Sequence, residues 1–163
     1  MRRRPTLAVI EQAFAEGADR FGFRLAHYSI LANHVHLLTE ASDRNALSHG
    51  MQGLPVRAAK ALNKHWRRKG SVFADRYHAR QLRTPREVRS ALIYVLHNAR
   101  HHGVHVVGVD EYSSAPRFDG WACEIAAAAR ASPGAPARTW LLRTGWRRDG
   151  LIGPHESPQR MPP

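Results

Sequence analysis

A strand–turn–strand pattern at residues 23–41 constrains the fold of this chain more than any other feature. The run FRLAHYSIL (residues 23–31) is β-prone and alternates between apolar and polar side chains. Ala32 and Asn33 form a short break, and HVHLLTEA (residues 34–41) then continues as a second β-prone run. Two such runs joined by a short turn predict an antiparallel β-hairpin.

Helical patterns lie on both sides of the hairpin. Apolar residues recur at helical spacing from about Thr6 to Arg20. After the hairpin, Asp43 is a candidate N-cap for a helix through LSHGMQGLPVRAAKALNKHWRR. Two helices flanking an antiparallel hairpin predict an α+β fold.

A third helix is predicted near residue 84. Residues 71–82 are expected to be extended, and Thr84, Pro85 and an acidic residue then form a typical helix start. This helix should run to about His102, because Gly103 is suited to stop it.

Charge separates this chain from ordinary globular proteins. Its 163 residues contain 25 Lys and Arg against 13 Asp and Glu, a formal net charge of +12. Such a surface attracts polyanions, among which nucleic acid is the commonest. The alternative is a GC-rich genome that favours arginine codons, which also fits the many Ala, Gly and Pro residues.

Cysteine usage and hydropathy bear on the compartment. Cys123 is the only cysteine, so the sequence excludes an intrachain disulfide and a cysteine-based zinc cluster. No apolar stretch approaches the roughly 20 residues that a membrane span needs. We therefore expect a cytoplasmic protein without a membrane partner.

His34 and His36 are candidate metal ligands. Alternate side chains of a strand share one face, so the two imidazoles should point the same way. Two neighbouring imidazoles can hold one divalent metal ion. The alternative is a pair of surface histidines among the 11 in the chain.

Tyr94 and Asn98, on the third predicted helix, are candidates for a nucleophile and a further metal ligand. Positions i and i+4 lie on one face of a helix, so the phenol and the amide should project together. An amide oxygen can serve as a third, hard metal ligand, and the phenol could attack phosphorus to form a covalent phosphotyrosine. Ordinary roles in helix packing are the alternative.

Basic and aromatic residues around the second helix and the extended segment are candidate DNA contacts. Their cations could bind phosphates and their rings could stack on bases, although a solvated helix face is an equal alternative. These residues are Arg57, Lys60, Lys64, Trp66, Arg67, Arg68, Lys69, Arg76, Tyr77 and Arg80. The histidines at 97, 101, 102 and 105 lack a regular ligand spacing, and we interpret them as a polar helix end.

Four features occur together in order: Asn33 to Leu37, a basic helix from Val56 to Arg68, Phe73 to Tyr77, and Tyr94 to Asn98. In this combination, residues 6–103 resemble the single-strand tyrosine transposases of the insertion-sequence-200 class, which carry a His-hydrophobic-His (HUH) motif. The chain is most similar to their REP-associated branch.

The resemblance implies a ferredoxin-like antiparallel sheet with helices on one face. It implies Mg²⁺ or Mn²⁺ as cofactor, single-stranded or hairpin DNA as partner, and a homodimer. Carried onto this chain, His34 and His36 are the metal pair, Tyr94 is the nucleophile, and Asn98 stands where glutamine is usual in the wider class.

The chain departs from the family at its front end, because it begins almost at the first helix. We expect the family's first strand to be missing. A wrongly assigned start, a decaying gene, or another segment that fills the gap, such as VHVVGVD (residues 104–110), could each explain this.

The predicted organisation is a catalytic domain at residues 1–110 and an irregular C-terminal extension at 111–163, with a flexible linker (131–137) and a disordered tail (153–163). The main hypothesis is an enzyme that cleaves and rejoins single-stranded DNA through a 5′-phosphotyrosine. The alternatives are a non-catalytic nucleic-acid-binding relative, domesticated or truncated, and a metal-binding protein unrelated to DNA.

Overall fold

The structure is a computed structural model that describes residues 1–74, 76–125 and 132–157. Three strands form one antiparallel sheet in the order β1-β2-β3. The strands are β1 (Asp19–Arg20), β2 (Phe23–Ile30) and β3 (Val35–Ala41), and the helices are α1 (Arg4–Ala15), α2 (Arg44–His65), α3 (Pro85–Leu96), α4 (Asn98–His101) and α5 (Trp140–Arg143). Short 3₁₀ turns occur at Ala115–Arg117 and Gly145–Asp149.

The predicted hairpin is confirmed as β2 and β3. Their pairing runs from Phe23 opposite Ala41 to Ile30 opposite Val35, with one irregularity between residues 25 and 27. The connecting turn is closed by the Leu31 amide, which donates to the His34 carbonyl at 2.9 Å. His34 therefore lies in the turn, and the second strand begins one residue later than the sequence predicts.

Helix α1 ends earlier than the apolar pattern predicts. The backbone of Phe21 and Gly22 has positive φ angles of 50° and 81°, which forms a tight turn between β1 and β2. Asp19 consequently pairs with Arg24 across the sheet, so the end of the predicted helix becomes a two-residue strand.

The helices lie on both faces of the sheet, which differs from the expected arrangement on one face. Helices α1 and α2 cover one face, where Leu25 and Tyr28 are completely buried. Helix α3 covers the other face, where it packs with Ala26 and Leu38. This is possible because Leu37 and Leu38 are both apolar and point to opposite sides of β3. The α+β class and the antiparallel sheet are confirmed.

The segment 104–110 does not supply an additional strand at its described positions. It is an irregular loop, held by the Arg100 guanidinium, which donates to the carbonyls of Val106 and Gly108. Part of the free edge of β2 is covered instead by the following segment, through hydrogen bonds between Ile30 and Tyr112 and between Ser114 and Tyr28. Within the described residues no strand precedes α1, and β3 is an edge strand.

The described part of the C-terminal segment packs onto the α3 face. Phe118, Trp121, Trp146 and Ile152 are buried there with α3. Of the predicted linker, residues 132–137 are described and residue 131 is not; of the predicted tail, residues 153–157 are described and 158–163 are not. No described helix has both the length and the hydropathy to span a membrane.

Candidate active site

The two predicted metal ligands lie side by side at the start of β3. The Nε2 atoms of His34 and His36 are 3.1 Å apart. Two nitrogens bound to one metal at about 2.1 Å and roughly a right angle are about 3 Å apart, so this separation fits a shared cation. Val35, between them, packs on the opposite face with α1 and α2. The strand geometry thus brings together both imidazoles that the sequence singled out.

Asn33 orients the first imidazole. Its side-chain oxygen lies 2.8 Å from Nδ1 of His34. An amide oxygen only accepts hydrogen bonds, so Nδ1 of His34 is the donor in this contact, and Nε2, which faces His36, is the atom that could bind a metal ion. Metal-binding histidines commonly use such a hydrogen bond, from the ring nitrogen that does not bind the metal, to hold the ring in place.

His36 is kept neutral by its surroundings. Burial, together with the smaller effects of the neighbouring rings of His34, His102 and His101, lowers its pKa to about 4. A metal ligand must be deprotonated at the binding atom, so a neutral His36 suits the chemistry of the pair at neutral pH.

Tyr94 lies next to this pair in the same chain. The centres of the Tyr94 and His36 rings are 5.1 Å apart, and the rings are nearly perpendicular at 88°. The His101 ring also lies near Tyr94, with the two ring centres 5.7 Å apart. The phenol is half-buried, so it borders the interior and is still accessible to a substrate.

Helix α3 places Tyr94 through a well-defined start and one apolar face. The predicted cap is confirmed as a capping box, in which the Thr84 side chain and Glu87 bond each other's backbone amides. Leu92 and Leu96 are completely buried against the sheet. Tyr94 lies two positions from each leucine and so on another side of the helix, where its ring contacts that of His36.

The predicted continuous helix to residue 102 is interrupted at His97. Helix α3 ends at Leu96, His97 has φ −107° and ψ 10°, and α4 begins at Asn98. Asn98 is completely buried, and neither atom of its amide group has a hydrogen-bond partner among the described residues. Its role as a ligand stays a prediction.

His102 completes a cluster that the sequence did not predict. One ligand atom each from His34, His36 and His102 lie within 4.8 Å of one another. The available signal was helical, because positions i, i+4 and i+8 share one side of a helix and Tyr94, Asn98 and His102 have that spacing. The sequence did not identify His102 as a ligand, because the histidines around it lack the regular spacing of a metal site.

The residues predicted to contact DNA lie on α2, in the turn after it and in the segment before α3. Eight of them are exposed, whereas Arg57 and Trp66 are half-buried, and Arg57 lies 3.9 Å from Glu16. The exposed residues are Lys60, Lys64, Arg67, Arg68, Lys69, Arg76, Tyr77 and Arg80.

The segment predicted to be extended, residues 71–82, forms neither helix nor strand at its described positions, and residue 75 lies outside them. Arg68 folds its guanidinium over the Trp66 ring, 5.4 Å from the ring centre, and donates to the Ser71 carbonyl at 2.7 Å. These contacts hold a cation and an aromatic ring together on the surface, the combination that single-stranded nucleic acid can use.

The chain was compared with known families, with curated proteins and with solved structures. A family model described as "Transposase IS200 like" matches residues 2–98, which is more than half of the chain and includes the histidine pair, Tyr94 and Asn98. Comparisons with curated proteins and with solved structures give no match.

Proposed function

Because this chain belongs to the IS200-like transposase family, we propose that it cleaves and rejoins single-stranded DNA with Tyr94 as its nucleophile. Transposition of DNA follows from the family. The tyrosine chemistry is supported chiefly by one observation, the 5.1 Å between the Tyr94 and His36 ring centres, which puts a phenol beside two converging imidazoles.

The proposed cleavage exchanges one phosphodiester bond for another. The Tyr94 oxygen attacks the phosphorus and loses its proton, the bond from phosphorus to the 3′ oxygen breaks, and that oxygen leaves as a 3′-hydroxyl. The product is a 5′-phosphotyrosine, in which the bond energy of the phosphodiester is conserved. Attack by a 3′-hydroxyl on this intermediate rejoins the strand and releases Tyr94, so the cycle needs no ATP.

His34 and His36 would hold the divalent metal ion of this site, with Asn98 as the third ligand that the sequence predicts. When bound, the ion would polarise the phosphodiester and offset the charge that develops at phosphorus. The resemblance to the family predicts Mg²⁺ or Mn²⁺. Asn33 prepares the site by fixing the His34 ring through the 2.8 Å contact.

The exposed cations on α2 and in the segment before α3 would bind the phosphates of the strand. A formal net charge of +12 supports such binding, and the Arg68–Trp66 pair supports contact with an unpaired base. A single-stranded or hairpin substrate and a homodimer are part of the proposal.

The direct test is a covalent-adduct assay with labelled single-stranded DNA beside a hairpin. Wild-type protein with Mn²⁺ should form an adduct that resists denaturing electrophoresis. Tyr94→Phe should form none, while its affinity for the same DNA stays unchanged. Tyr112→Phe is the matched control, because Tyr112 lies outside the predicted DNA contacts and phenylalanine keeps the ring that packs there, so the adduct should form as in the wild type.

An adduct that persists in Tyr94→Phe would rule out this nucleophile. Salt-sensitive DNA binding by the wild type without any adduct would favour the non-catalytic relative instead. Absence of DNA binding would leave the third hypothesis, a metal-binding protein unrelated to DNA.

A further inference from the structure

A third imidazole lies beside the His34–His36 pair, and it belongs to His102, the residue that follows α4. The ring centres of His34 and His102 are 5.3 Å apart, at an interplanar angle of 72°. The ligand atoms of His34, His36 and His102 all lie within 4.8 Å of one another. The His102 side chain is exposed, so the core does not prevent its ring from turning toward the pair.

Asn98 occupies a different environment from His102. Its side chain is fully buried and without a hydrogen-bond partner among the described residues, whereas His102 is exposed beside the pair. The break at His97 separates the two: Asn98 begins α4 in the interior, and His102 follows its last residue. An exposed imidazole can reach a cation in the cluster without the core being rearranged.

We propose that His102 is a further protein ligand of the metal site beside His34 and His36, and that the site therefore prefers transition metals to Mg²⁺. The inference rests on the proposed function for the existence of a metal site at His34 and His36. Imidazole nitrogen suits Mn²⁺, Co²⁺ and Zn²⁺ progressively better than Mg²⁺, which prefers hard oxygen ligands. A ligand set of three imidazoles shifts the preference further than two imidazoles and an amide oxygen would.

The experiment measures metal binding by the full chain without DNA. Isothermal titration calorimetry with Co²⁺ and with Mg²⁺ gives the two affinities, and the visible absorption of bound Co²⁺ reports its ligands. The wild type should bind Co²⁺ at least about tenfold more tightly than Mg²⁺. His102→Ala should weaken Co²⁺ binding at least about tenfold, since even outer-shell changes cost that much, and should alter the Co²⁺ spectrum.

Two further variants make the result specific. His102→Gln replaces the nitrogen with an amide oxygen, so it should weaken Co²⁺ binding while Mg²⁺ binding is retained or improved. His105→Ala removes another exposed histidine and should leave both affinities and the spectrum unchanged. Circular dichroism of each variant checks that the fold is kept.

Equal Co²⁺ binding and spectra in the wild type and His102→Ala would overturn the assignment, as would a wild type without preference for Co²⁺ over Mg²⁺. Neither outcome depends on DNA cleavage. A wild type that forms the Tyr94 adduct but fails the Co²⁺ test refutes His102 alone, and a three-histidine Co²⁺ site in a protein that forms no adduct refutes the proposed cleavage alone.

Discussion

Asn33 is an uncharged, exposed residue that acts on the candidate metal site through the ring of its neighbour, His34. Its side-chain oxygen lies 2.8 Å from Nδ1 of His34, and Nε2 of that ring faces His36 at 3.1 Å. Because the amide fixes which nitrogen is protonated, it decides whether a lone pair points into the cluster. The sequence motif included Asn33, but only the geometry distinguishes a turn residue from one that orients a ligand.

We expect Asn33→Ala to weaken Mn²⁺ binding by roughly 10–100-fold, the usual effect of losing an outer-shell partner. Asn33→Asp keeps an acceptor at the same place, and its charge makes the His34 ring a better donor to metal, so affinity should be retained. Titration calorimetry with Mn²⁺ measures both. Asn45→Ala, at an exposed asparagine on α2, is the control, and an Asn33→Ala affinity equal to that control would contradict the orienting role.

At the scale of elements, local sequence signals were sufficient where the element is defined locally. The hairpin, the Asp43 cap of α2 and the capping box of α3 all follow from neighbouring residues, and all three are present. The Asp43 carboxylate accepts from the Ala46 amide at 2.8 Å. The two caps join residues three positions apart, and the hairpin pairs two runs joined by a short turn, so none of them needs knowledge of the rest of the chain.

Signals failed where a turn or a side-chain contact, and not the apolar periodicity, determines the backbone. The end of α1 becomes β1 because Asp19 pairs with Arg24, and the β-prone segment 104–110 is instead held as a loop by Arg100. The break at His97 was also not predicted. It affects the site, because Asn98 is buried after it whereas His102 is exposed. None of these contacts can be read from helical or strand periodicity.

The exposed cations near α2 should determine the salt dependence of DNA binding. Removing Lys60, Lys69 and Arg76 together should reduce the slope of log affinity against log salt by about 2, since each phosphate contact on a single strand contributes about 0.7. Fluorescence anisotropy with a labelled oligonucleotide at several salt concentrations measures the slope.

A charge-matched control separates a binding surface from net charge. Arg3, Arg4 and Arg143 are equally exposed but lie outside the predicted DNA contacts, so replacing these three with Ala should reduce the slope clearly less. Equal reductions in both triple variants would mean that binding follows total charge and that the surface near α2 is not a specific contact.

At the scale of the whole molecule, buried polar junctions tie the C-terminal segment to the sheet. The Glu40 carboxylate accepts from the amides of Arg138 and Thr139 at 2.9 and 2.8 Å and from the Arg24 guanidinium at 3.1 Å. Burial alone would raise the pKa of Glu40, but these hydrogen bonds outweigh burial and lower it. The sequence gives no sign of a partner 98 residues away, so this packing could not have been predicted.

Buried histidines make the stability of the molecule sensitive to mild acid. Burial lowers the pKa values of His27, His36 and His97 to about 4, from an ordinary value of 6.5. Between these values the unfolded chain binds protons that the folded chain does not, so stability is complete above about pH 6.5 and decreases as the pH falls toward 4. Carboxylates with lowered pKa values, such as Glu40 and Glu156, lose their contribution only below about 4.5.

His27 offers the clearest test, because it is outside the candidate metal cluster. Its Nδ1 atom lies 3.2 Å from the Ser114 hydroxyl, and its ring meets Phe118 edge-on at 5.5 Å. His27→Asn has no proton to gain, so the free energy of unfolding of the wild type should fall more than that of the variant between pH 7.5 and 4.5. The excess should be roughly 1–3 kcal/mol, at about 1.4 kcal/mol per pKa unit. Urea denaturation at each pH measures it, with the exposed His78→Asn as control; parallel pH curves for wild type and His27→Asn would show that the folded chain protonates His27 as readily as the unfolded chain does.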